Sequence, residues 1–165
     1  MAGLEDWVSL LADRLDEALR LRFAGSHGRW AAPGAMGNDE GAEERITLSL
    51  LTFAPAQAAR TLPPRRGAPL PAPSLIVDGE LLVMPRRTRT SNYGECLRAL
   101  SAAIEWLHAN PRLTGTGQAG FAAGDTVAID QAELTLDQVA AFIQACPMQG
   151  MPFAIYRLRG MTIGA

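Results

Sequence analysis

The spacing of apolar side chains divides the chain into helices and strands. Leu4, Trp7/Val8, Leu11, Leu15 and Ala18/Leu19 recur every three or four residues, with Glu5, Asp13, Arg14, Asp16, Glu17 and Arg20 between them. That is an amphipathic helix with one buried stripe. Residues 25–42 hold five glycines, one proline and few apolar anchors, which predicts a mobile loop. In ERITLSLLTFAP, Ile46, Leu48 and Leu50 alternate with Thr47 and Ser49, the period of a strand. Residues 55–74 follow as a proline-rich connection, extended and irregular because proline fixes φ and lacks an N–H donor.

SLIVDGELLVMP reads either as a hairpin turning at Asp78-Gly79 or as one long strand kinked at Gly79. The hairpin arms would be very short, so the continuous strand is expected. Asn92 with Glu95 makes a capping box. The helix it opens should carry Cys96/Leu97, Leu100, Ala103/Ile104 and Leu107 to the core, and Asn110-Pro111 should end it. A glycine loop leads to DTVAID, a short strand. Thr135 with Gln138 opens a third helix, expected to pack through Leu136, Val139, Ala140, Phe142 and Ile143 and to stop at Pro147. In PFAIYRLRGMTI, Phe153, Ile155, Arg157 and Arg159 alternate with Ala154, Tyr156 and Leu158, which predicts a closing strand. The order is α-β-β-α-β-α-β. It predicts a single α+β domain over residues 1–165, an α/β sandwich whose mixed sheet of about four strands is packed by three helices.

Composition narrows the function classes. The net charge is -2, so no overall basic field invites nucleic acid. All fifteen basic residues are Arg, which suits planar contacts with carboxylates and backbone but follows equally from GC-rich coding. Cys96 and Cys146 both fall in apolar helical patterns and read as reduced core thiols. No apolar run reaches membrane-spanning length. The acids of the first helix do not fit a signal peptide, and a cytoplasmic location is expected.

Candidate catalytic features are sparse. Gly115, Gly117 and Gly120 spell G-x-G-x-x-G. A dinucleotide site needs a strand before that motif and a helix directly after it. Here a helix precedes it and a loop and strand follow, so an exit loop is the plainer reading. His108, near a helix end, has Glu105 three residues away but no visible orienting partner. The favourable placing of a cation at a helix C-terminus accounts for it. His27 has no companion. No metal-ligand spacing and no nucleophile-elbow serine is present. The predicted site therefore has no catalytic, cofactor-binding or metal-binding residue.

Arginine clusters remain: Arg86, Arg87 and Arg89 between strand and helix, Arg65 and Arg66 in the proline connection, and Arg157 and Arg159 on one strand face. Solvated surface is the bland account of them; arginine is also the basic residue favoured at interfaces.

The succession ITLSLLTFAP, AARTLPP, PSLIVDGELLVMP and NYGECLRALSAAIEWLHANPRLTG resembles the N-terminal domain of tube-terminator, or cap, proteins of contractile injection systems, relatives of phage tail terminators. Leu107, His108, Asn110, Pro111 and Leu113 match that family's L-H-x-N-P-x-L helix ending. The closing segment ELTLDQVAAFIQACPMQGMPFAIYRLRGMTI resembles its last helix, loop and strand. The likeness covers the chain from Ile46 onward and the first helix. Three features depart from the family pattern: Met84-Pro85 stands where a tyrosine-containing turn is usual, Arg157 and Arg159 share one face of the last strand, and the loop at 25–42 is long.

The resemblance implies a non-enzymatic assembly protein without cofactors. It would form a ring with its own subunits, expected to be a hexamer, on the membrane-distal end of an inner tube, and its partners would be the tube protein and the sheath protein, with no nucleic acid or membrane. Arg86, Arg87 and Arg89 would meet acidic groups on a neighbouring subunit or the tube, and Arg157 and Arg159 would line a ring face. The final strand, residues 153–163, is the candidate edge for strand addition if the sheet leaves it unpaired. The rival readings are a phage tail-completion or neck protein and a small-ligand or nucleotide-binding protein using the loop from Gly115 to Gly120.

Overall fold

The apolar stripe that begins at Leu4 forms helix α1, Leu4–Arg22, whose N-terminus is closed by the Gly3 N–H donating to Asp6 Oδ2 at 2.6 Å. Trp7, Leu10, Leu11, Leu15 and Leu19 are fully buried along it. In this computed structural model the described residues are 2–24, 28–35, 45–56, 75–86, 92–115, 120–145 and 151–164. His27, Arg65, Arg66, Arg87, Arg89, Gly117, Cys146 and Pro147 lie outside them.

After α1 come strand β1, Ala31–Pro33, strand β2, Ile46–Pro55, strand β3, Leu75–Pro85, and helix α2, Tyr93–Ala109. Strand β4, Arg112–Thr114, strand β5, Thr126–Gln131, helix α3, Leu136–Ala145, and strand β6, Ala154–Ile163, complete the fold. The class is α+β as expected, but the sheet has six strands in the order β1-β2-β3-β6-β5-β4, not four. The two unforeseen strands are three residues each, one inside the glycine-rich stretch read as a loop and one just after Pro111. β1 pairs with β2 in parallel and every other pairing is antiparallel, so the sheet is mixed.

β3 is the continuous strand expected, with a register shift between Val77 and Gly79. The kink needs glycine. A Cβ at Gly79 would stand 2.9 Å from Met161 Cε, 3.0 Å from Leu50 Cδ1 and 3.2 Å from the Thr52 carbonyl oxygen, closer than side chains pack.

Side chains alternate between the two faces of the sheet. One face buries Ile46, Leu48, Leu81, Val83, Tyr156 and Leu158 under α1 and α2 in the main core. α2 starts where the capping box placed it: Asn92 Oδ1 accepts from the Glu95 N–H at 3.0 Å, and Glu95 Oε2 accepts from the Asn92 N–H at 2.9 Å. The second face carries a smaller cluster of Leu82, Met84 and Ile155 with Phe142, Phe153 and Leu134 against it. α3 lies on this second face. Its Thr135/Gln138 capping box is formed, but the expected packing is not: no α3 residue is buried, Leu136 is 87% exposed and Ile143 47%. Among the described residues, it is held by the Phe142–Phe153 ring contact, at 4.5 Å, and by partly buried neighbours.

Candidate functional site

Strand order decides which backbone groups can reach a partner. β6 is interior, hydrogen-bonded to β3 on one side and β5 on the other, so the expectation that residues 153–163 form an edge is corrected. Its apolar alternation had hidden this. Ala154, Tyr156 and Leu158 join the main core while Ile155 joins the second cluster, as befits a strand covered on both faces at that end. The edges are β1 and β4.

The β1 edge is closed by the chain itself. In its parallel register the Trp30 carbonyl and the Gly34 N–H face β2, accepting from Ile46 at 2.8 Å and donating to Leu48 at 3.0 Å. The N–H and C=O of Ala31 therefore point outward. Asp16 of α1 accepts the Ala31 N–H at 3.2 Å and also the Trp30 N–H, Arg29 Nε donates to the Ala31 carbonyl at 2.8 Å, and Pro33 has no N–H to offer. Trp30 is fixed in turn by Phe23 stacked at 4.5 Å and the Arg45 guanidinium 4.4 Å above its ring. Asp16, read from sequence as one more solvated charge, is buried; Arg20 pairs with it at 2.9 Å.

The β4 edge is built differently. Pro111 accepts from the Ile129 N–H at 2.8 Å and the Gly115 N–H donates to Asp125 at 3.0 Å, so alternate residues face β5. Arg112 and Thr114 consequently turn their backbone groups outward, and both side chains are exposed. Arg112 opposes Ala128, which opposes Arg159, so Arg112 shares the second face with the arginines of β6.

That second face carries a polar row in direct cross-strand register: Thr52 opposite Glu80, Glu80 opposite Arg157, Arg157 opposite Asp130. Arg157 Nη2 lies 3.6 Å from Glu80 Oε1, and Arg159 Nε donates to Asp130 Oδ2 at 2.7 Å. All four side chains are roughly half exposed, so the row presents alternating charge rather than a basic patch. Beside it a groove of about 160 Å³ is walled by Phe53, itself 56% exposed, with Gly79 and Glu80. Arg86, by contrast, is buried at the end of β3, its backbone N–H donating to the Arg45 carbonyl at 2.8 Å and its carbonyl accepting from Cys96 Sγ at 3.6 Å.

Gly115 follows β4 and Gly120 precedes β5, two strands paired antiparallel, whereas a nucleotide-binding glycine motif runs from a strand directly into a helix. Gly115 lies under Phe121, where a Cβ would run into the ring, and Phe121 sits edge-on to Trp7 at 4.6 Å. A cavity of about 380 Å³ beside it is lined by Ala2, Gly120, Phe121, Ala122, Asp125, Thr162 and Gly164. It offers no cation among these residues, and the Asp125 carboxylate accepts the Ala122 N–H at 2.7 Å, a poor setting for phosphate. His108 is exposed, and Glu105 pairs with Arg22 of α1 rather than with it. Among the described residues no group of three or more His, Cys, Asp or Glu is placed to hold a metal ion, and no helix is long and apolar enough to cross a membrane.

Among the described residues, then, the mixed sheet has one edge closed by Asp16, Arg29 and Pro33, a second edge at β4, and a charged row across its second face. Residues 8–165 match the family described as the Pvc16 N-terminal domain, and the chain belongs to that family. Two solved structures share its fold. One is the sheath/tube terminator of an extracellular contractile injection system, PVC, in its extended state, at a TM-score of 0.59 and 13% identity over 94% of this chain. The other is the tube-terminating cap of the anti-feeding prophage, AFP, at 0.65 and 13% over 99%. This chain spans 57% and 56% of those two chains. No curated protein matches it.

Proposed function

We propose that this chain is the capping module of a contractile injection system, a non-enzymatic protein that ends the inner tube and helps anchor the last sheath ring. Membership of the Pvc16 N-terminal domain family and the fold shared with two terminators support the reading. The observation in the chain itself that carries it is the asymmetry of its sheet edges. Head-to-tail growth continues as long as each added unit offers a copy of the surface it used. A sheet that accepts an extended segment along Arg112–Thr114 and seals its other edge with Asp16, Arg29 and Pro33 takes a strand without passing one on.

In this reading the module sits in a ring of its own copies, six by family resemblance. The Glu80–Arg157–Asp130–Arg159 row faces the tube or sheath, where alternating charge fixes register more than affinity. Arg86 is only 9% exposed, so direct contact from the arginine link falls to Arg87 and Arg89.

The test is particle length. Cells lacking the chain yield tubes of disordered length or open ends, and re-expression restores a uniform length. Uniform, closed particles without the chain contradict the assignment.

A further inference from the structure

We propose that copies of this chain join head to tail through two helices on opposite faces of the sheet: the outer stripe of α3 on one copy against the N-terminal half of α2 on the next. The stripe consists of Leu136, Ala140 and Ile143, spaced i, i+4 and i+7, the spacing that lines up side chains for helix-on-helix packing. Leu136 and Ile143 are among the few large apolar side chains left exposed. On α2 the others are Tyr93, 52% exposed, and Leu97, 38% exposed, spaced i, i+4.

Charge selects a second copy as the occupant. Residues 131–145 carry Glu133 and Asp137 and no basic residue. The α2 patch carries Arg98, while its nearest acid, Glu95, is tied to the Asn92 N–H at 2.9 Å. Among the described residues none of Glu133, Asp137 and Arg98 has an ion-pair partner, unlike Arg22, Arg157 and Arg159. The two patches are thus both apolar and carry unpaired charges of opposite sign. They cannot meet within one copy, because α2 packs on the main core and α3 on the second cluster across the sheet. A contact between two different patches of the same chain is heterologous, and such contacts close into rings when the rotation allows. The inference rests on the capping reading for why a ring is needed, and on its own residues for which surfaces build it.

The full chain with Cys146→Ser is the background for cross-linking with a short bismaleimide. Leu97→Cys and Ile143→Cys together should give a ladder of oligomers. Each alone should give no ladder, and a mixture of the two single variants should give dimers only. Self-association followed by sedimentation should fall roughly tenfold with Arg98→Glu and with Asp137→Arg, and recover when both are present, the signature of a direct charge pair. A double-cysteine chain that cross-links no better than the singles overturns the contact, as does a single variant that dimerises with itself, or charge swaps that fail to rescue. If Leu136→Asp leaves self-association intact but abolishes attachment to particles lacking the chain, the stripe meets another protein and the proposal is wrong. Loss of capping on deletion without these cross-links removes only this contact. Cross-links with normal tube ends on deletion remove the capping reading instead.

Discussion

The Asp16 carboxylate, on a helix, accepts the backbone N–H of Ala31, on a strand, at 3.2 Å, and so one side chain of α1 closes an edge of the sheet. The same carboxylate takes the Trp30 N–H and the Arg20 guanidinium. Removing it leaves two backbone donors without an acceptor in a buried place. Asp16→Ala should lower the unfolding free energy by about 2 kcal/mol in urea titration, and amide exchange at Trp30 and Ala31 should accelerate before the rest of the sheet opens. Unchanged exchange at those two residues would show that the edge is held by something else.

Gly79 is the point where β3 bends past Met161 and Leu50. Gly79→Ala should destabilise the fold by about 1–3 kcal/mol through overpacking. Truncating the nearest flexible neighbour in the background of that change, Met161→Ala, should recover little, because the Thr52 carbonyl 3.2 Å away is backbone and cannot give way. Denaturation midpoints of the single and double variants measure this.

Tyr156 is buried in the main core, and among the described residues its hydroxyl has no hydrogen-bond partner. A buried hydroxyl without a partner costs stability, so Tyr156→Phe should leave the unfolding free energy unchanged or raise it by up to about 1 kcal/mol. Burial also holds the phenol above its ordinary value of 10.0. Above that pH the unfolded chain releases the proton while the folded chain keeps it, so stability falls as pH rises. The Phe variant should lack that component of the alkaline loss.

On the acid side, the hydrogen bond and charge of Arg22 hold the Glu105 carboxyl below its ordinary value of 4.5. The stabilisation this pair gives is present above 4.5 and is lost as pH falls through the depressed folded value. Arg22→Ala should flatten that part of the stability profile, measured by thermal unfolding across the acid range, and high salt should mimic it because the pair is exposed.

Much of the fold was legible because its signals are local. The boundaries of α1, α2 and α3 follow from an apolar period and two capping boxes, Asn92/Glu95 and Thr135/Gln138. β2, β3 and β6 show their alternation over ten or eleven residues. β1 and β4 were not legible, since Ala31-Ala32-Pro33 and Arg112-Leu113-Thr114 are too short to carry a period and exist through pairing with distant partners. Strand order is likewise non-local. Nothing in the alternation of β6 says that β5 lies beside it, so the edge was assigned to the wrong strand. Asp16 looked solvated because its neighbours on the helix are, and only the return of Trp30 over it makes it buried. Arg157 and Arg159 stand on one exposed face as the pattern required, while their partners Glu80 and Asp130 come from two other strands.

The central claim is that the chain stands at the end of a tube and stops it there. The direct measurement is to image purified particles carrying an epitope tag on this chain, with a tagged Thr114→Pro variant alongside to block the open edge of β4. The account predicts label at one end of each particle and only there, with the variant folded but absent from that end and tubes of uneven length. Label distributed along the shaft, or absent from particles whose length is uniform, would contradict it.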